Sequence, residues 1–232
     1  MTRDLCFLLA TGMVLSVGCA GPTNDRRAEV TGASTAPSTT LPHPDSITGF
    51  DWKVGDVCTY QYQYGSRKSM HTQTLSDISA GRITFSDKGD DASGGSIVLE
   101  SGGAQLKQWV SQANGEQLEF VPPLDWMSFP LRPDQVWSVQ SAMIGQTFQA
   151  DTNSTFNVGN WEQVQVPAGK FVALRITVTQ SYIVVNNKGE RNTGTGTWSY
   201  WVATSTNCLV KHEYQNSFGD KSDRQLLTYK KR

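Results

Sequence analysis

Two acidic side chains lie next to tryptophans in this sequence, a combination found in enzymes that act on carbohydrates. Asp125 precedes Trp126, and Glu162 follows Trp161. Paired carboxylates serve as general acid and base in glycoside hydrolysis when they flank the same bond. Aromatic residues beside acids are also frequent at strand ends for packing reasons alone. Because sequence does not reveal the separation of the two carboxylates, a carbohydrate-acting enzyme is the least favoured hypothesis, and we expect a non-catalytic protein.

The three histidines do not form a metal-binding pattern. His43, His71 and His212 lie far apart in the chain, and no CxxC motif accompanies them, so a zinc site has no support. His212 falls on the inward face of a predicted strand, where a lone histidine is more often a hydrogen-bonded core residue than a base. A GxSxG nucleophile motif is absent, and no helix follows the glycines of residues 193–196. We therefore predict neither a metal nor a cofactor.

Lipid attachment is the chemistry indicated at Cys19. An uncharged apolar run from Leu5 to Val17 ends in Gly18 and Cys19. The run is shorter than the roughly 20 residues that a membrane-spanning helix needs, and its form is typical of a signal peptide. The residues before Cys19 resemble the bacterial lipobox, which implies acylation of the cysteine, for example with palmitate, and removal of residues 1–18. The alternative is an ordinary secretory signal with an incidental thiol at Cys19.

The segment that follows is predicted to be a tether. Residues 19–48 are rich in Ser, Thr and Pro and lack apolar periodicity, so they cannot bury a core. Ala20 follows the anchor cysteine where an aspartate is the retention signal of Gram-negative lipoproteins. By that resemblance we expect attachment to the outer membrane, facing the periplasm. Residues 49–232 then form one periplasmic domain.

Two cysteines remain in that domain, Cys58 and Cys208. Cys58 shares a strand face with Tyr60 and Tyr62, and Cys208 shares one with Val210, so both sulfur atoms are expected to point inward. An exported compartment permits disulfides, and within the chain each cysteine has only the other as a partner. We predict a disulfide between the first strand and a late one. Two buried free thiols, which pack as small hydrophobic groups, are the alternative.

Almost every ordered segment alternates apolar and polar residues with a period of two, which predicts an all-β domain. Predicted strands include residues 57–64, 155–158, 162–166 and 171–185. In the last of these, Val172, Leu174, Ile176 and Val178 fall on one face, as in an antiparallel sheet with one wet side. We expect a strongly curved antiparallel sheet, with a half-barrel or sandwich-like form.

Aromatic residues are the most prominent feature of the composition, with seven Trp, seven Tyr and nine Phe. Large rings ordinarily fill a β core. On a curved sheet they can instead line a concave apolar pocket for an acyl chain or another hydrophobic ligand. The residues predicted to line such a pocket are Tyr60, Tyr62, Trp137, Trp198 and Tyr200.

Four segments resemble a group of bacterial envelope β proteins sometimes called TapB-like. They are Trp52 to Asp56, Phe129 to Pro133 with Val136 and Trp137, Val166 to Phe171, and Gly196 to Trp198 with Tyr200 and Trp201. The resemblance covers residues 49–215, and it departs at Ala203 to Cys208, where the group has a glycine-containing turn. It implies a strongly curved antiparallel sheet similar to the half-barrels of lipoprotein carriers, and no activity.

Three functional hypotheses follow. We favour a non-catalytic scaffold or accessory role in an envelope assembly, with the membrane and an envelope protein complex as partners. The alternative is a binder or carrier of a hydrophobic ligand such as a lipid, and the third is the carbohydrate-acting enzyme. With 20 basic and 21 acidic residues, the net charge of −1 offers no basic field for nucleic acid.

Overall fold

The structure is a computed structural model that describes residues 42–91, 93–111 and 115–232. The predicted signal peptide, Cys19 and most of the predicted tether lie outside the described residues. Twelve strands make up about two thirds of the described residues, with a short 3-10 turn at Ser101–Gly103. Their bounds are β1 (Val57–Tyr64), β2 (Arg67–Ser79), β3 (Arg82–Gly89), β4 (Gly94–Glu100), β5 (Gln105–Ser111), β6 (Gln117–Asp125), β7 (Val136–Ile144), β8 (Phe148–Val166), β9 (Gly169–Asn186), β10 (Arg191–Val202), β11 (Leu209–Asn216) and β12 (Lys221–Lys230). No helix in this part of the chain is long and apolar enough to cross a membrane.

The strands form one closed antiparallel barrel. Each strand pairs with the next along the chain, and β1 also pairs with β12 from Val57 opposite Lys230 to Tyr64 opposite Ser222. The all-β antiparallel prediction is confirmed, but the sheet is more closed than the half-barrel that was expected. The reason is that β1 and β12 satisfy each other's backbone hydrogen-bonding groups, which would otherwise form two open edges.

Side-chain alternation fixes which face of each strand points inward. In β9, Leu174, Ile176 and Val178 are buried, whereas Arg175 and Thr179 are exposed. Such alternation follows from the two-residue period of a strand, and a shift of one residue would turn the whole apolar set towards solvent. The register of β9 is therefore set by its apolar residues.

Strand β8 contains an irregularity that sequence analysis interpreted as a break between two strands. The segments predicted as two strands, 155–158 and 162–166, belong to a single strand, with a register shift against β9 between Val158 and Trp161. A bulge adds unpaired residues, bends the strand and changes which face is covered. Past this point Val164 and Val166 pack in a separate apolar cluster with Phe171 and Trp201.

The turn of the β8–β9 hairpin contacts β12, which lies three strands from β9 in the sheet. Pairing between β11 and β12 stops at Lys211 opposite Gln225. Beyond that point, the backbone NH of Ala168 in the hairpin turn donates to the carbonyl oxygen of Leu226 in β12 at 3.0 Å. Leu226 is fully buried in the same apolar cluster as Val164 and Phe171. The hairpin thus packs where the two strands separate.

Residues 47–56, which precede β1, close one end of the barrel and are called the closing segment. Ile47 and Leu131 exchange two backbone hydrogen bonds of 3.0 and 2.8 Å, and both side chains are buried. Trp52 donates its indole NH to the carbonyl oxygen of Asn207 at 2.8 Å. Gly103 packs so tightly on Trp52 that a Cβ there would lie 1.9 Å from the ring. The packed domain therefore includes Ile47, which lies within the stretch predicted to be a tether.

Asp56 ties this closing segment to the end of the chain. Its carboxylate accepts hydrogen bonds from the backbone NH of Arg232 at 2.8 Å, the side-chain amide of Asn207 at 2.8 Å and the backbone NH of Lys53 at 3.1 Å. Burial alone would raise the pKa of Asp56, but these hydrogen bonds outweigh it and hold the pKa below its usual value. The carboxylate is therefore ionised at neutral pH and joins both ends of the barrel sequence.

Candidate functional site

The interior of the barrel contains a cavity of about 130 Å³ that is partly open to solvent. One wall is contributed by β2 to β6, and the opposite wall by β8 to β12 with β1. The closing segment and the loop before β11 form one end of it. Most of the lining side chains are apolar or aromatic, and they include Phe50, Trp52, Tyr60, Phe85, Ile97, Leu106, Trp109, Leu118, Phe120, Trp126, Phe156, Val178, Trp198, Tyr200 and Leu209.

Three of the five predicted pocket residues line this cavity: Tyr60, Trp198 and Tyr200. Trp137 does not, because it stacks on Phe156 with ring centroids 4.8 Å apart, and Phe156 is the residue that lines the cavity. Tyr62 does not line it either. Its ring is buried and meets His71 edge-on at 5.7 Å. The cavity is thus smaller on this side than the aromatic pattern predicted.

The opposite wall was missed by sequence analysis. Phe85, Ile97, Trp109 and Leu118 come from β3, β4, β5 and β6, and all four line the cavity. A signal was present, since the strands around them alternate with period two. What the sequence could not indicate is that these strands face Trp198 and Tyr200 across the interior, because that arrangement depends on barrel closure.

The tyrosines of the interior are neutral. Burial raises the pKa of Tyr60 and of Tyr62 to about 12, although the nearby positive charge of Arg224 opposes the shift. Burial also raises the pKa of Tyr200, again against the effect of Arg224. At physiological pH these side chains therefore present uncharged rings, which suits contact with an apolar molecule.

Two basic side chains lie among these rings. Arg224 of β12 is opposite Tyr62 of β1 and His212 of β11, and its side chain lines the cavity. His212 stacks on Tyr200 with ring centroids 4.8 Å apart. Burial, and after it the charge of Arg224, lowers the pKa of His212 well below its usual value. His212 is thus neutral, whereas an arginine side chain stays charged in a protein.

His212 differs from the hydrogen-bonded core histidine that was expected. The side chain is 1% exposed. Neither of its ring nitrogens has a hydrogen-bond partner among the described residues. A buried polar group without a partner is unusual in a folded protein, so the interior near Arg224 contains hydrogen-bonding capacity that the barrel itself does not use.

The predicted disulfide between Cys58 and Cys208 is confirmed. The Cα atoms lie 5.8 Å apart, and the bond links positions separated by 150 residues. Both cysteines are buried. The bond joins the start of β1 to the residue just before β11, at the end of the barrel where β11 and β12 no longer pair, so it covalently links the wall where these two strands have separated.

Sequence comparison does not assign the chain to a family. No known family matches the sequence, and no characterised protein shows significant similarity to it. The resemblance to the TapB-like group is therefore not confirmed.

Comparison with solved structures shows similarity of fold. A proposed lipoprotein from Parabacteroides distasonis has a TM-score of 0.50 at 10% identity, covering 81% of this chain and 100% of that chain. A proposed exported protein with a YmcC-like fold from Bacteroides fragilis has a TM-score of 0.50 at 12% identity, covering 80% and 100%. The fold is shared with these two proteins. The hypothetical lipoprotein YmcC from Escherichia coli has a TM-score of 0.43 at 11% identity, covering 75% and 84%.

The two carboxylates singled out for carbohydrate chemistry lie in separate surroundings. Asp125, in β6, accepts a hydrogen bond from the side-chain amide of Gln105 at 2.6 Å. Glu162, in β8, accepts one from the indole NH of Trp201. Neither carboxylate lines the cavity. The structure therefore adds no support to the enzyme hypothesis. Within the described residues, no three His, Cys, Asp or Glu side chains are grouped to hold a metal ion.

Proposed function

We propose that the protein is a non-catalytic bacterial envelope lipoprotein whose barrel binds a small hydrophobic molecule. The observation that carries this proposal is the internal cavity of about 130 Å³ lined by aromatic and aliphatic side chains. An apolar cavity of roughly 150 Å³ accepts a molecule the size of benzene, whereas drug-sized ligands occupy roughly 300 to 1,000 Å³. The bound group is accordingly a single ring or a segment of an acyl chain.

The cavity places ligand binding ahead of the scaffold role that sequence analysis favoured. A scaffold needs a surface for a partner, and an open sheet edge is one such surface on a β domain. Here β1 and β12 pair with each other along the whole of β1. The location in the envelope is supported by the two fold neighbours, one a proposed lipoprotein and the other a proposed exported protein.

An accessory role in an envelope assembly is the second candidate. Val121, Ile144 and Val185 are 45%, 42% and 38% exposed. Ile144 and Val185 both pair with Gln149, which places them on strands either side of β8. Neighbouring exposed apolar side chains are the kind of surface that a protein partner covers. Chemical crosslinking in the native cell envelope tests this role, and recovery of a stoichiometric protein partner would support it.

Filling the cavity should abolish binding. Leu106 lines it from β5, and Leu106→Trp adds a ring where the ligand would lie. We expect the purified domain to bind benzene in isothermal titration calorimetry and the variant to bind it at least about tenfold more weakly, since an excluded ring forfeits its buried apolar contact. The matched control is Val185→Trp, which adds the same ring at an exposed position of β9. Thermal unfolding checks that both variants are folded. No binding by the wild-type domain, or equal binding by both variants, would reject the proposal.

Anchoring through Cys19 is tested by Cys19→Ser in the full-length protein. Loss of the acyl chains should move the protein from the membrane fraction to the soluble fraction, since acyl chains supply about 0.8 kcal/mol per buried CH₂ of membrane affinity. Metabolic labelling with a palmitate analogue checks the modification directly. Membrane retention of an unlabelled variant at the wild-type level would contradict the anchor.

A further inference from the structure

Arg224 is the one charged residue among the described residues that line the cavity. The residue is 8% exposed, and its side chain lines the cavity. Its guanidinium carbon lies 4.7 Å from the ring centroid of Tyr60. Arginine is almost never buried unless it is paired, because moving a charge out of water is unfavourable by several kcal/mol. The burial of this charged side chain therefore needs a physical explanation.

The barrel provides no counter-ion for this charge. None of the ion pairs among the described residues involves Arg224, and its buried Nε has no hydrogen-bond partner there. The buried carboxylate of Asp87 is not paired with Arg224: its Oδ2 lies 3.0 Å from His71 Nδ1, and its Oδ1 has no hydrogen-bond partner among the described residues. The contact with the Tyr60 ring is a cation–π interaction, which offsets only part of the desolvation.

A second unpaired group stands beside the guanidinium. His212 is directly opposite Arg224 in the pairing of β11 with β12, and both of its ring nitrogens are buried without partners. A neutral imidazole carries one N–H donor. Arg224 and His212 therefore present unused donors, of which one is charged, on neighbouring strands, and of the two side chains Arg224 lines the cavity.

On the basis of the proposed function, we propose that the ligand is an amphipathic anion. Its carboxylate or phosphate group binds the Arg224 guanidinium, with His212 as an adjacent donor, and its apolar part occupies the cavity beside Trp198 and Tyr200. The planar guanidinium presents parallel N–H groups that match the two oxygens of such a headgroup. An anion there would supply the missing counter-ion, and the aromatic lining would contribute most of the remaining affinity.

The test compares ligands that share a chain and differ in headgroup. Decanoate, decyl phosphate and neutral decanol are each titrated into the domain, and their affinities are measured by isothermal titration calorimetry. We expect decanoate or decyl phosphate to bind roughly 10- to 100-fold more tightly than decanol, which is the range for a hydrogen bond to a charged group. The tighter of the two anions identifies the headgroup. This comparison uses the wild-type domain only, so it does not depend on a variant that folds.

Variants then assign the effect to one residue. Arg224→Gln should lower the affinity for the preferred anion at least about tenfold and leave that for decanol within about twofold. Arg175→Gln is the matched control. Arg175 also lies over an aromatic ring, 5.2 Å from the centroid of Trp201, but it is exposed on the outer face of β9. Its replacement should change neither affinity.

The outcomes separate this inference from the proposed function. Equal binding of decanol and both anions would overturn the anion site and leave hydrophobic binding intact. An anion preference that persists in Arg224→Gln would also overturn it. If neither benzene nor any decyl compound binds, the proposed function fails and the inference fails with it.

Discussion

Replacing both Cys58 and Cys208 with alanine should lower the melting temperature of the domain by about 10 to 15 °C. The bond closes a loop across a sequence separation of 150 residues. By loop-closure entropy, such a cross-link stabilises the folded state by about 4 to 5 kcal/mol, because it restricts the unfolded chain. In a domain of this size, each kcal/mol shifts the melting temperature by roughly 2 to 4 °C. Differential scanning calorimetry of the oxidised domain and of the double variant measures the difference.

The reduced wild-type domain is the control for this measurement. It keeps both sulfur atoms in place and lacks only the bond, so its melting temperature separates the cross-link from the packing of two buried side chains. We expect the reduced protein to account for most of the loss. A double variant that melts within about 2 °C of the oxidised wild type would show that the unfolded chain is not restrained as loop-closure entropy requires.

Phe156→Ala should destabilise the domain by about 3 to 5 kcal/mol. Phe156 is 2% exposed, and it separates Trp137 from the cavity by stacking on the indole ring. Its removal loses the buried area of a whole ring and enlarges a space that is already present, so neighbouring side chains cannot collapse to fill it. An offset-stacked aromatic pair contributes a further 0.5 to 1.5 kcal/mol, approximately. Urea denaturation followed by tryptophan fluorescence gives the free energy of unfolding.

Phe218→Ala provides the comparison. Phe218 lies in the β11–β12 turn and is 42% exposed, so its loss should alter the free energy of unfolding by no more than about 0.5 kcal/mol. If Phe156→Ala destabilises the domain by less than about 1 kcal/mol, the interior near Trp137 is not packed as described.

Local pattern was sufficient to predict the strands. The predicted first strand has the same bounds as β1, Val57–Tyr64, and predicted segment 171–185 lies within β9, Gly169–Asn186. In both, apolar side chains recur at every second residue, and that period is a direct result of strand geometry. Segments 155–158 and 162–166 were predicted apart because the bulge in β8 interrupts the same alternation.

Closure could not be predicted in this way. The first and last strands pair at opposite ends of the sequence, and a period of two is the same whether a curved sheet stays open or closes. The prediction of the residues that line the cavity was incomplete for the same reason. Tyr60, Trp198 and Tyr200 could be chosen from inward-facing rows, whereas the facing wall required knowledge of closure. Arg224 was overlooked because a charged side chain in a strand is usually at the surface.

If Cys19 carries the proposed lipid anchor, the closing segment is the part of the barrel that connects it to the membrane. The chain leading from the predicted anchor enters through Ile47, whose backbone is bonded to Leu131, and continues through Trp52 to β1. A force applied along the tether would therefore act on the closing segment before it reached any strand. The next element in the line of force is β1, which is held by backbone ladders on both sides and by the covalent bond at Cys58. Under such a force, the closing segment would detach first and the strands of the barrel would separate last.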